Sequence, residues 1–139
     1  MGAWGPESCS SDHCWDALKA KNIHKITTAE TKDSLDSFEF PIKDPYDAEA
    51  YVGVVIWGLR HGCSVERLHL VKAAATARRL MKAFKKSDED FELTDRHDAL
   101  QEEILDIGKA LANNGIIKPK HVKGLFERMN DKLEEAEKS

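Results

Sequence analysis

Surplus positive charge is missing from this sequence. Lysine and arginine number 21 against 25 aspartates and glutamates, a net charge of −4 at pH 7. Phosphate backbones are gripped by excess Lys and Arg, so a bare DNA or RNA binder is disfavoured from the outset. Cysteine is scarce: Cys9, Cys14 and Cys63 are an odd, low number, which argues against a disulfide framework. Long hydrophobic runs are absent too. The longest, over 50–59, is about half the ~20 residues a membrane-spanning helix needs. The start shows no charged segment followed by an apolar one, and Pro6 stands where a myristoylation signal wants Ser or Thr. A cytoplasmic protein with reduced thiols and no membrane contact is the expectation. No catalytic or cofactor-binding motif is evident, so no cofactor is expected, and whether the chain is an enzyme stays open with a non-enzymatic role preferred.

What is present suits one folded domain. Hydrophobic residues make up 41% and charged residues 33% of the 139, a globular balance rather than a disordered one. A chain this long can bury a core without disulfides or metal. Residues 1–10 read as a Gly-, Pro- and Ser-containing loop. Ser11 or Asp12 can cap a short helix to about Lys21, with Trp15 and Leu18 on one face. A second short helix can begin at Thr28, with Glu30 and Asp33 where the helix dipole favours acids.

The segment after Pro45 carries the main ambiguity. Val52, Val54, Val55 and Ile56 would suit a buried strand. Asp44 before Pro45 is a helix start, however, and Arg60, His61 and Gly62 make a helix stop. The helical reading over 45–61 is preferred. Such a helix is apolar nearly all round and belongs at the centre of the molecule. Ser64 is read as the cap of a helix to about Lys86, with Leu70, Ala74, Ala77, Met81 and Phe84 on its inner face. Thr94 is read as the cap of another, with Leu100, Ile104, Ile107 and Leu111 inward and a stop at Asn113-Asn114-Gly115. Pro119 opens a last helix whose tail, 134–139, is expected to fray. The sum is an all-α single domain over 1–139, of five to six helices in bundle-like or orthogonal packing.

The opening is the most unusual stretch. Gly2 and Gly5 flank Trp4, a large side chain that gains from burial, so Trp4 is expected to plug the core. With Ser11, Asp12, Asp16 and Leu18 as the following cap and helix, this opening resembles a family of small bacterial proteins, a domain of unknown function, that begins Met-Gly-x-Trp-Gly. The resemblance covers about the first eighteen residues of the chain. It implies a bacterial or phage origin and supplies no catalytic residue.

Three constellations could carry chemistry. Cys9, His13, Cys14, His61 and Cys63 could in principle supply four zinc ligands, or His61 could serve as base to a Cys63 thiol. Their spacing matches no recurrent zinc knuckle, and the simpler reading is that the cysteines pack as small apolar residues. Lys72, Arg79, Lys82 and Lys86 form a basic stripe, with Arg78 and Lys85 beside it, that could track phosphates. No aromatic residue interleaves with it, and acids from Asp88 to Asp106 can offset it, so a solvated face with internal ion pairs is the simpler reading. Asp95, Asp98, Glu102 and Asp106 share one face, read as a solvated acidic face. The leading expectation is a non-enzymatic protein–protein interaction module, for example a neutralising partner of a basic toxin. Nucleic-acid binding by the basic stripe and a zinc or thiol site are the alternatives.

Overall fold

Residues 50–59 are helical, and local chemistry at the two ends of their helix explains why. A computed structural model describes residues 12–84 and 91–119, the side chains of residues 12, 13, 84 and 91–96 excepted. In it Asp44 is extended and its Oδ1 accepts the Tyr46 N–H at 2.8 Å, with Pro45 as the first helical residue. At the other end Gly62 takes φ +86°. Its N–H donates to Leu59 O at 3.0 Å, and the Cys63 N–H donates to Gly58 O at 2.9 Å. That pair of bonds closes the helix with a left-handed cap.

The described residues contain five α-helices and no strand: α1 (Asp12–Ala17), α2 (Thr28–Asp36), α3 (Pro45–Arg60), α4 (Arg67–Phe84) and α5 (Phe91–Ala112), with a short 3-10 turn at Ile23–Lys25. The protein is all-α. Helix α3 lies at the centre and touches the other four helices, while α4 and α5 make the most extensive pair. Every residue of α3 from Ala50 to Arg60 is buried. Each large apolar side chain placed there contributes about 1.5–3 kcal/mol relative to exposure. Trp57 can be fully enclosed because its indole N–H donates to Ile23 O at 2.7 Å. Gly58 lets α2 come close: a Cβ there would lie 2.6 Å from the Thr31 methyl. No described helix is long and apolar enough to cross a membrane.

Helix α2 starts with a capping box. Thr27 Oγ1 accepts the Glu30 N–H, and Glu30 Oε1 accepts the Thr27 N–H, each at 3.1 Å. Glu30 Oε2 also accepts the Lys21 N–H at 2.9 Å, and Ser34 Oγ accepts the Lys19 N–H at 2.7 Å. Those bonds take the backbone donors of Lys19 and Lys21 away from α1, which ends at Ala17 instead of reaching Lys21.

Two caps differ from the sequence reading. Ser64 does not cap α4. Its N–H donates to Thr28 Oγ1 at 3.2 Å, and the next residue, Val65, donates to Gly115 O at 2.9 Å. The chain stays extended there and buries Cys63 and Val65, so α4 starts at Arg67. Thr94 does not cap α5, which begins three residues earlier at Phe91. Good helix formers, Glu92 and Leu93, precede Thr94, and a threonine inside a helix costs only a few tenths of a kcal/mol to ~0.7. At the far end of α5, Asn114 has φ 56° and the Gly115 N–H donates to Ala110 O at 2.7 Å, the expected stop. Trp4, the Met-Gly-x-Trp-Gly opening, Cys9, Lys85, Lys86 and the last helix lie outside the described residues.

Candidate interaction surface

Helix α4 carries two stripes of residues with opposite fates. Leu70, Ala73, Ala74, Ala77 and Leu80 are buried, with Met81 half-buried. On the other side Leu68, Val71, Ala75, Arg78 and Lys82 are all exposed. Leu68 is 58% and Val71 49% accessible. An exposed leucine alone is ordinary, and Leu105 of α5 is 65% accessible, so what marks α4 is the register its exposed residues share. Their separations run three, four, three, four, the heptad pattern that keeps one seam facing a neighbouring helix. The seam is apolar at its N-terminal half and basic at its C-terminal half.

Of the predicted basic stripe, Lys82 lies in this seam and Lys72 and Arg79 flank it. Arg79 and Lys82 are exposed, and Arg79 Nη2 reaches Thr76 Oγ1 at 3.4 Å. Lys72 is half-buried: its Nζ sits 3.9 Å above the centroid of the Phe40 ring, a cation–π distance. No aromatic residue interleaves with the stripe along the sequence, yet the fold brings Phe40 to Lys72 from the loop before α3. Phe40 in turn stands edge-on to Tyr51, with ring centroids 5.0 Å apart. The α4 sequence contains no Asp or Glu. Among the described residues the ion pairs are Lys32–Glu66, Arg60–Asp106, His69–Asp36 and His97–Asp98, and none includes Lys72, Arg78, Arg79 or Lys82.

A polar chain running from buried Tyr51 out to exposed Asp36 ties three helices together. The Tyr51 hydroxyl lies 2.7 Å from His69 Nδ1, and His69 Nε2 lies 3.0 Å from Asp36 Oδ1. The carboxylate fixes the tautomer. A carboxylate only accepts, so Nε2 carries a proton and donates to Asp36, and in the neutral ring Nδ1 then accepts from the phenol. His69 O, 3.3 Å from the hydroxyl, is a second acceptor for the same O–H. Burial, with the nearby Asp36 carboxylate adding to it, pushes the Tyr51 phenol well above its ordinary pKa. Tyr51 is fully enclosed, so its hydroxyl is not presented to a substrate.

The cysteine and histidine candidates have other engagements. Cys14 is buried in α1, and Cys63 is buried with its thiol donating to Ile26 O at 3.3 Å. His61 stacks on Trp57, ring centroids 4.4 Å apart, and Nδ1–H donates to Trp57 O at 2.7 Å. Burial holds His61 below the ordinary histidine pKa. It outweighs the bond to Trp57 O, which acts the other way, and His24 lowers it slightly further. Among the described residues, no group of three or more His, Cys, Asp or Glu side chains could hold a metal ion.

The acidic face needs correcting. Asp98 and Glu102 are exposed, but Asp106 is almost fully buried. It accepts from Arg60 Nε and Nη2, both at 3.2 Å, where α5 meets α3. Glu103 is buried as well.

Leu68, Val71 and Ala75 are the surface residues that sequence reasoning passed over, although their heptad spacing was visible. The fold and this surface define an all-α chain with an exposed helical seam. No family model matches the chain, and no curated protein or solved structure matches it either.

Proposed function

We propose that this chain is a non-enzymatic protein-interaction module whose contact surface is the outer face of α4, extended by Phe40. The single observation that carries this reading is the exposed heptad seam of Leu68, Val71, Ala75, Arg78 and Lys82 on a helix whose opposite face is committed to the core. Contiguous exposed apolar surface rimmed by polar residues is where protein contacts form, and Leu68 and Val71 adjoin Arg78 and Lys82 in that order along one face.

The overall charge of −4 by itself favours a basic partner, such as the basic toxin considered above. The local charge of α4 is positive, which favours an acidic partner at this face. The competing reading, phosphate binding through Lys72, Arg79, Lys82 and Lys86, uses only the basic half of the seam and leaves Leu68 and Val71 without a role. A cytoplasmic setting belongs to the same proposal, since the free thiols Cys14 and Cys63 suit a reducing compartment.

A photo-crosslinking residue in place of Ala75, introduced in the cells that make the protein, tests this. The reading requires a discrete adduct, identified as a polypeptide by mass spectrometry, that the same probe at Asp33 on α2 does not give. Crosslinking to nucleic acid, or equal yields from Ala75 and Asp33, would overturn it.

A further inference from the structure

The geometry points to an acidic amphipathic α-helix of a different polypeptide as the occupant of the α4 seam, an inference that rests on the interaction-module reading. Four features select this partner. First, the three-four spacing of Leu68, Val71, Ala75, Arg78 and Lys82 persists over two heptads, about 21 Å of helix at 1.5 Å per residue. Another helix meets such a row side chain by side chain. Ala75, at its middle, lets a second backbone approach closely. A peptide added as a β-strand would need an unpaired sheet edge, and the described residues contain no strand.

Second, Lys72 and Arg79 stand seven residues apart along one flank of the seam, where coiled coils place the charges that choose partners. Together with Arg78 and Lys82 they make that flank and the C-terminal half positive. The helix contains no carboxylate to offset them. Glutamates or aspartates on the incoming helix would supply the missing sign, while its aliphatic positions cover Leu68 and Val71.

Third, the same charges exclude a second copy of this chain. Side by side in parallel, two α4 helices would stack Arg78 on Arg78 and Lys82 on Lys82. Antiparallel, the charged end of one would cover the apolar end of the other. Like-charge contact and buried unpaired charge both oppose the pair. Fourth, Lys72 is already positioned over Phe40 at 3.9 Å, so part of the ordering cost of that long side chain is met before a partner arrives.

The probe is a labelled helical peptide with leucines spaced to meet Leu68, Val71 and Ala75 and glutamates spaced to meet Lys72, Arg78, Arg79 and Lys82. Its controls are a scramble of equal composition, a lysine-for-glutamate version and a short DNA duplex. Fluorescence anisotropy with the full chain at physiological salt should show the acidic peptide binding at least ~10-fold more tightly than any control. The double variant R78E/K82E should lose ~10-fold or more, Leu68→Ser should weaken binding, and Asp33→Asn on α2 should leave it unchanged. All these positions are exposed, and circular dichroism confirms each variant's fold. Amide shifts in NMR spectra should concentrate on α4. The inference is overturned if the acidic peptide binds no better than its scramble, if the duplex binds more tightly, or if the chain dimerises through α4. If the Ala75 crosslink to a polypeptide persists while the peptide fails, the contact surface stands and the acidic helical partner falls; if both fail, the module reading falls with it.

Discussion

The Tyr51 hydroxyl lies 2.7 Å from Nδ1 of His69, and this bond joins α3 to α4 inside the protein. Through His69 Nε2 and Asp36 it continues to the end of α2. Removing the hydroxyl alone, with Tyr51→Phe, leaves Nδ1 buried without its donor. The expected loss is ~1–3 kcal/mol, read from the urea midpoint with an unchanged m-value. In a Tyr46→Phe background Tyr51 is the sole tyrosine of the chain. Its phenolate absorbance should then appear only above the ordinary phenol range, because burial and Asp36 oppose ionisation. A normal titration midpoint in folded protein would refute the burial of the Tyr51 hydroxyl.

Asp98 and Asp106 share a helical face in sequence but not an environment. Asp98 is largely exposed, while the Asp106 side chain is 1% accessible and pairs with Arg60. Asp106→Asn should therefore cost much more than Asp98→Asn. Breaking a buried pair while leaving the other charge in place costs ~3–5 kcal/mol, whereas exposed substitutions usually fall within ~0.5 kcal/mol. Chemical denaturation of the two variants side by side decides it, and equal losses would contradict the burial described.

Two glycines in and after α5 should respond to alanine with opposite signs. Gly115 has φ +87°, and a Cβ there would collide with the Val65 carbonyl. The left-handed backbone alone costs an ordinary residue ~1–2 kcal/mol, so Gly115→Ala should destabilise by at least ~2 kcal/mol once the collision is added. Gly108 is an exposed residue near the C-terminal end of α5, and nothing would stand within 4 Å of a Cβ. Gly108→Ala should stabilise by ~0.5–1 kcal/mol. Thermal melts of both variants give the signs directly.

Glu30 links the caps of two segments, and its carboxylate is held below the ordinary pKa by the Lys21 N–H first and the Thr27 N–H second. A carboxylate that is more acidic when folded adds stability that is complete above its unfolded pKa. That stability fades as pH falls through the lower, folded value. The acid limb of a stability–pH profile should accordingly flatten in Glu30→Gln, with little change in slope above the carboxylate range. A variant whose acid limb matches the wild type would show that the capping bonds do not favour the charged form.

The end points of α3 were legible because their causes are local. Asp44, Pro45 and Gly62 act within a few residues of themselves, through a side-chain cap, a fixed φ and a left-handed turn. Those signals outweighed the β-branched run between them, which speaks only about side-chain packing. Ser64 failed as a cap for the converse reason. Its backbone N–H was drawn to Thr28, 36 residues earlier, a partner that no local pattern announces.

The sequence by itself determined the all-α class, the central apolar helix, the stop at Asn114-Gly115 and the heptad spacing along α4. Each follows from periodicity or from chemistry within one turn of chain. Only the tertiary structure decided which face of α4 stays open, that Phe40 lies under Lys72, and that Asp106 leaves solvent for Arg60. Those facts join residues 32 and 46 positions apart, and burial and pairing between such distant positions exist only once the helices have packed.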